Sequence, residues 1–445
     1  MGRWAGQLAT TMMILGILCP AGSGVTVEQV LDVEPVWAGH PVGFCLHTEG
    51  ERQYVAYYDA QRRMRLAMRR LDASSWTFAT LPERVGWDSH NYIRMGFDRR
   101  GHLHLSGNMH CVPLIYFRSR EPYEATTMQR IDRMVGAQEN RCTYPQFFHG
   151  PQNELIFRYR DGGSGNGNEI FNVYEESTQS WRRLLDEPLT DGRGQMNAYI
   201  RGPVRGSDGR FHVSWVWRDT PDCETNHDLS HAQSRDLVHW ETIGGKPLTL
   251  PITVETPGVI VDPVPVGGGI LNGTGAIGFD TQGRVVLSYY KFDEDGKTQA
   301  YCARAEDGAW RIYRVSDWDY RWAFSGRGSI ITEIRVGTVE PADDGTLRLD
   351  YSHVRHGSGR WRLDAETFAV LGRLPRRSHA PRELQGPESD FPGMQVRWAQ
   401  DHGDSGEPGV TYWLRWETLG TNRDRPRTGP LPDPSMLRVY KLRAE

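Results

Sequence analysis

Beyond its first two dozen residues the chain has no apolar run of the roughly 20 residues that a spanning helix needs. It also lacks an excess of positive charge. Lys and Arg total 52 against 56 Asp and Glu, a formal net charge of -4, so the basic footprint of a nucleic-acid-binding protein is missing. A small negative total does not exclude an anionic partner, because local arginines decide that. Cysteine is scarce: six residues, of which Cys19 falls within the first two dozen residues. The other five, Cys45, Cys111, Cys142, Cys223 and Cys302, are scattered and do not make a disulfide scaffold. An exported protein has room for one or two bridges among them, and the odd number leaves at least one thiol or metal ligand. Long Ala/Leu/Glu/Lys-rich helical stretches are absent. The glycine run after Asp161 is followed by no Lys-Ser/Thr pair, so it is not a phosphate loop. No feature calls for an organic cofactor.

What is present begins with a leader. Arg3 precedes an apolar stretch from Leu8 to Leu18, and small residues follow at Ala21, Gly22, Ser23 and Gly24. That is the layout of a secretory signal peptide spanning residues 1–24, and it places the mature protein outside the cell or in the periplasm. Leu18 stands where a lipoprotein signal would carry a small residue before Cys19.

The rest of the chain is rhythmic and rich in Gly (49) and Trp (15). A turn residue followed by an alternating strand recurs seven times, at Gly50, Gly101, Asn153, Gly209, Gly283, Gly345 and Gly393. A second strand and often a Trp follow, as at Trp76, Trp181, Trp240 and Trp310. Period-2 alternation between turn signals marks half-buried strands. A unit near 50 residues with about four such strands is a propeller blade. The expected fold is therefore all-β, a single-domain seven-bladed β-propeller over residues 25–445. The strand "MLRVYKL" is expected to close the ring beside "HPVGFCLH", burying edges that would otherwise invite aggregation. Residues 244–275 read as an inserted surface loop and 373–393 as a linker between blades six and seven. "SRDLVHW" (Ser234 to Trp240) is a degenerate Asp-box-like turn with a structural role only.

Polar residues with chemical potential concentrate in blades two to four. His90 and His110 stand in loops at strand ends, where propellers build their sites, whereas His102 and His104 alternate on one strand and suit a structural role. In "FRYRDGGSG" Arg158 and Arg160 share one strand face, and the glycines that follow allow a tight turn or close approach to a ligand. Cys223, His227 and His231 recur at intervals of four. Such spacing fits either a structural zinc or ordinary hydrogen-bonded turn residues.

The strings "DSHN" (from Asp88), "GNMH" (to His110), "TYPQF" (from Thr143), "FRYRDGGSG" (from Phe157) and "TNHDL" (from Thr225) resemble the BNR repeat-containing family, as do "GRVVLSYYKFDEDGKTQAY" (from Gly283) and "SGRGSI" (from Ser325). The resemblance runs from about residue 36 to 375. Members include seven-bladed ulvan lyases, which cleave sulfated rhamnose–uronate polymers. Carried over motif by motif, the resemblance implies catalytic roles for His90, His110, Tyr144 and Arg160. It implies a structural zinc with Cys223 and His227 as ligands. Asn91, Arg218, Asn226, Lys291 and Arg327 lie in the same motifs and are candidates for binding sulfate or carboxylate groups. An acidic polysaccharide is the implied substrate, with no nucleic-acid or membrane partner and a monomeric enzyme.

These residue types suit β-elimination at a uronate. The proton at C5 is barely acidic while the neighbouring carboxylate is charged, so a cation such as Arg160 must stabilise the developing enolate-like charge by paired hydrogen bonds. Histidine is a natural base near neutral pH, which favours His110. Positive charge near Tyr144 is expected to lower its pKa, fitting it as base, as acid to the leaving oxygen, or as both. His90 would then orient or neutralise the carboxylate. Two other readings stand beside this one. One is a hydrolase, such as a sialidase-like enzyme; a retaining or inverting glycosidase needs two placed carboxylates, for which Asp88, Asp161 and Asp228 are available. A carbohydrate-binding propeller without activity would keep the fold alone.

Overall fold

The computed structural model describes residues 24–376 and 378–444; the expected leader lies outside the described residues apart from Gly24. The chain is all-β and forms seven separate antiparallel sheets. Sheet 1 contains Cys45–Glu49, Arg52–Tyr58, Arg63–Arg70 and Thr77–Arg84. Sheet 2 contains Ile93–Phe97, Leu103–Gly107, Tyr116–Ser119 and Met128–Arg130. Sheet 3 contains Cys142–His149, Leu155–Gly163, Asn166–Glu175 and Ser180–Arg183, with His110–Val112 added at its first strand. Sheet 4 contains Asn197–Arg205, Phe211–Arg218, Asn226–Ser234 and Trp240–Glu241, with Ile260–Asp262 pairing on its third strand. Sheet 5 contains Ala276–Phe279, Val285–Phe292, Thr298–Glu306 and Ala309–Arg314, and sheet 6 contains Ile334–Pro341, Leu347–His353, Gly357–Leu363 and Val370–Leu374. Sheet 7 contains Met394–Gln400, Val410–Leu419 and Ser435–Ala444, and takes its fourth strand, Val25–Val36, from the other end of the chain.

All seven turn residues found in the sequence have positive φ, from 55° at Gly50 to 85° at Gly393. Glycine enters that region without steric cost, and Asn153 is among the side-chain-bearing types that tolerate it. Six of them sit between the first and second strands of sheets 1 to 6. Gly393 instead precedes the first strand of sheet 7, and the matching turn is at Gly409, also at positive φ. The closing pair also differs from the expected one. Ser435–Ala444 pairs with Val25–Val36, while the segment containing His40 to His47 leads into the first strand of sheet 1. The twelve-residue strand Val25–Val36 supplies a long ladder that the short Cys45–Glu49 strand cannot.

Successive sheets pack on one another through alternating apolar faces, and the first strands of sheets 2, 3, 5 and 6 lie against their predecessors. Sheet 7 packs on sheet 1. Gly96 lets sheets 2 and 3 approach closely, since a Cβ there would lie 2.7 Å from that of Phe147. Trp181, Trp215, Trp217, Trp240, Trp318, Trp322, Trp361 and Trp416 are buried in this packing. The Ser234–Trp240 turn is held by its own hydrogen bonds, Leu237 N–H donating to Ser234 Oγ and His239 N–H to Asp236 Oδ1. His104 is fully buried between Asp98 and Tyr116, as a structural histidine should be. All five described cysteines are free thiols. No described helix is long and apolar enough to cross a membrane.

Candidate active site

In an antiparallel sheet the start of one strand and the end of the next share an edge. Tyr144 and Tyr199 are each the third residue of a first strand, in sheets 3 and 4, and Arg160 and Arg218 stand near the ends of the following second strands. His90 precedes the first strand of sheet 2, and His110 follows its second. One edge of three neighbouring sheets therefore carries all six side chains.

His110 crosses from sheet 2 to pair with Thr143 of sheet 3, which sets it beside Tyr144. Three residues here hold left-handed backbone: Asn108 at φ 59°, Cys111 at φ 57° and Tyr144 at φ 60°. Tyr144 also sits in a register shift between Thr143 and Gln146 and precedes Pro145. Such conformations are costly for residues with a Cβ and cluster at functional sites.

The His90 and His110 rings stack with centroids 4.1 Å apart. Asp88 lies between them: His90 Nδ1 contacts its Oδ1 at 2.7 Å, and His110 Nδ1 contacts its Oδ2 at 2.5 Å. Burial pushes the Asp88 carboxyl up, yet the hydrogen bonds from His110 and His90 hold it well below the usual carboxylate range. An ionised carboxylate only accepts, so the proton of each imidazole is on Nδ1 and each neutral ring keeps its lone pair on Nε2. Asp424 supports the same loop, accepting from Ser89 N–H and Oγ–H at 3.0 and 2.8 Å, and lies 3.7 Å from His90 Nδ1.

The Tyr144 ring lies 5.8 Å from His90 and 6.0 Å from Tyr199. Arg160 is 1 % exposed and places its guanidinium 4.9 Å from the Tyr144 centroid and 5.7 Å from that of Tyr199. It forms no ion pair among the described residues; its Nη2 donates to Cys111 Sγ at 3.5 Å. A buried cation without a carboxylate favours ionisation of nearby phenols. The phenol it favours is Tyr199. Burial pushes Tyr199 up, but Arg160 and Arg218 together outweigh it and leave the pKa below the ordinary value. Tyr144, expected from sequence to be lowered, is pushed well up by burial and by Tyr199, with Arg160 only partly opposing.

Arg218 is committed to its surroundings: Nε donates to Thr220 O at 3.0 Å, and Nη1 reaches Tyr199 Oη at 3.3 Å and Asn272 Oδ1 at 3.2 Å. Asn226 is buried and donates to Cys223 O at 2.5 Å, with Asn272 at 3.4 Å. Asn91 accepts the Tyr58 hydroxyl on its carbonyl at 2.6 Å. Lys291 pairs with Asp262 at 2.6 Å, and Arg327, 68 % exposed, pairs with Asp222 at 3.1 Å.

Cys223 and His227 do not have the chemistry of a zinc pair here. His227 Nε2 contacts Asp219 at 3.0 Å and Nδ1 contacts Asp228 at 2.9 Å, so both ring nitrogens are taken. Burial lowers the His227 pKa, but Asp228 and Asp219 more than offset it and favour the imidazolium. Burial also pushes the Cys223 thiol up, whereas a zinc ligand must be a thiolate or a neutral imidazole. Among the described residues the one group of three donors close enough to hold a cation is Asp88, His90 and His110.

Sequence reasoning missed Tyr199 and Asn272 and gave Asp88 no part beside the histidines. Strand position was the available signal for Tyr199, because it repeats the third-residue placement of Tyr144 one sheet later. Asn272 falls in the stretch read as a surface loop, and nothing local marks it.

Comparison with known proteins agrees with this architecture. The short isoform of ulvan lyase from Alteromonas sp. (strain LOR) is 27 % identical over 135 residues, covering 27 % of this chain and 26 % of that protein. The match thus spans only about a quarter of the curated relative. The crystal structure of polysaccharide lyase Uly1 superposes with a TM-score of 0.64 at 13 % identity, covering 94 % of this chain and all of the other. A PL25 ulvan lyase bound to -[GlcA(1-4)Rha3S]- superposes with a TM-score of 0.60 at 14 % identity over 93 % of this chain and 96 % of that one. The model of the BNR repeat-containing family (BNR_4) matches residues 52–318, well over half of the sequence, and the chain belongs to that family.

Proposed function

We propose that this protein is an exported, monomeric polysaccharide lyase that cleaves a uronate-containing, sulfated polymer of the ulvan type by β-elimination. One observation carries the reading: two imidazoles hang by Nδ1 from a single carboxylate, beside a phenol pair backed by a buried, carboxylate-free guanidinium. The ulvan lyase relatives support it, as does the -[GlcA(1-4)Rha3S]- bound to the PL25 enzyme. We also read residues 25–445 as one seven-bladed propeller domain, on the strength of seven sheets packed largely in chain order with the last against the first. The leader-like residues 1–24 support export.

In this mechanism Nε2 of His110 takes the C5 proton. The C–H electrons form a C4–C5 double bond, the C4–O bond breaks, and the leaving oxygen takes a proton from Tyr144. Asp88 orients the base and stabilises the imidazolium that forms, as a carboxylate behind histidine does in other enzymes. A phenol held protonated suits the acid role, which the raised Tyr144 pKa supports. His90 orients the uronate carboxylate. Arg160, behind the phenol rings, stabilises the developing charge through its field rather than by paired contact. The reaction as drawn needs no redox or nucleotide cofactor. A retaining or inverting glycosidase would need two free, opposed carboxylates, but Asp88 is held by two imidazoles and Asp228 by His227, which leaves only Asp161 of the three.

The test is incubation of the full chain with ulvan and other uronate polymers. New ultraviolet absorbance from unsaturated uronyl ends is the expected result. Saturated ends alone would mean hydrolysis, and binding without cleavage a carbohydrate-binding protein; either would overturn the lyase reading.

A further inference from the structure

A cavity of about 400 Å³ lies on the same edge as the catalytic candidates, between sheets 4, 5 and 6. Arg201, Arg335 and Arg376 line it, with Asn272, Tyr290 and Asp350. Arg201 is two residues beyond Tyr199 on one strand, so both side chains leave the same face about 7 Å apart. Asn272 belongs to the cavity wall and also accepts from Arg218, which bonds Tyr199. Asn272 and Arg218 thus link the cavity wall to Tyr199.

Its charge is uncompensated. Arg201, Arg335 and Arg376 form no ion pair among the described residues, although neighbouring Arg360 does. The one acid in the wall, Asp350, is taken by Arg360 through two bonds of 2.6 and 2.8 Å. Arg201 bonds only the Gly273 carbonyl. Its side chain is exposed and lines the cavity. Arg335 and Arg201 both act on the Tyr290 phenol, and Arg335 also acts on nearby Arg397. Like charges gathered without counter-charge repel, and a bound anion relieves that cost.

We propose that this cavity is an anion subsite of the cleavage centre, built to hold a sulfate ester carried by the polymer away from the bond that breaks. The proposal rests on the lyase reading above. Three cations from three separate segments suit a tetrahedral anion approached from several sides. A planar carboxylate is satisfied by one guanidinium, as Asp350 is by Arg360.

The test has two parts on the full chain. The first needs no turnover: the thermal midpoint is measured in sodium sulfate against sodium chloride at equal ionic strength. Wild type is expected to gain stability saturably with sulfate, and the double variant Arg335→Gln/Arg376→Gln to lose that gain. The second compares ulvan with chemically desulfated ulvan. Wild type is expected to show a KM roughly tenfold lower for the sulfated polymer, the worth of one or two charged hydrogen bonds, and the ratio to fall toward one in the variant. Inorganic sulfate is expected to compete with the sulfated polymer.

Sulfate that stabilises no better than chloride, or a KM ratio unchanged by the variant, overturns the proposal. Sulfate that stabilises without competing marks a free-anion site and overturns the subsite. If neither polymer is cleaved, the lyase reading fails, and with it the subsite's link to cleavage. Sulfate-dependent stabilisation then still decides whether the cavity takes the anion.

Discussion

The rings of His90 and His110 stack 4.1 Å apart because both are bonded to the two oxygens of one carboxylate. Asp88→Asn removes the charged acceptor and presents an amide NH₂ to one ring. Activity is expected to fall by roughly 10⁴-fold, as when the carboxylate behind a catalytic histidine becomes an amide. Turnover assayed on folded protein checks this, with circular dichroism to confirm the fold.

The same carboxylate has a pH signature. Its folded pKa is held below the unfolded value of about 3.9. Its contribution is therefore present above that value and is lost as pH falls through the folded pKa. The gap in thermal midpoint between wild type and Asp88→Asn is expected to be full at pH 5 and to narrow below pH 4, as scanning calorimetry would show.

The two phenols beside Arg160 separate by spectroscopy. Tyr199 is pulled below the ordinary tyrosine value, and Tyr144 is pushed above it. An ultraviolet titration of wild type is expected to show one early phenolate, lost in Tyr199→Phe and kept in Tyr144→Phe. Tyr144→Phe is expected to lower kcat by roughly 100-fold, as loss of a general acid does. An early phenolate that vanishes with Tyr144 instead would reverse the assignment.

The proposed role of Arg160 rests on its charge, which Tyr144, Tyr199 and Cys111 favour despite burial. A buried guanidinium without a carboxylate is expensive, and Met keeps most of its apolar stem. Arg160→Met is expected to lower kcat by on the order of 100-fold or more. A folded variant that is still active would contradict the role given to its charge.

His227 lies between two carboxylates, Asp219 at 3.0 Å and Asp228 at 2.9 Å. Its raised folded pKa means a stabilisation fully present below the unfolded value of about 6.5 and lost as pH rises through the folded value. His227→Gln is expected to cost most at pH 6 and progressively less in alkaline buffer. Prolonged treatment of wild type with a chelator is expected to leave the midpoint unchanged.

The sequence alone determined the all-β class and the number of turn-and-strand units, and it pointed to most of the residues that the candidate site brings together. Those are local properties. Alternation reports which strand face is buried, and a glycine or Asn153 reports a left-handed turn wherever the chain puts it. The unit count survived even though Gly393 is out of phase with Gly409, because both turns have the same local chemistry. Partners distant in the chain were left to the tertiary structure. Val25–Val36 and Ser435–Ala444 meet only because sheet 7 needs a fourth strand, and no local pattern encodes that pairing. The strand placement of Tyr199 repeats that of Tyr144, but its ionisation depends on Arg160 and Arg218 arriving from the second strands of sheets 3 and 4. Charge effects act through space, so the tertiary structure decided which phenol is lowered, that Asp88 holds both histidines, and that His227 spends its nitrogens on carboxylates.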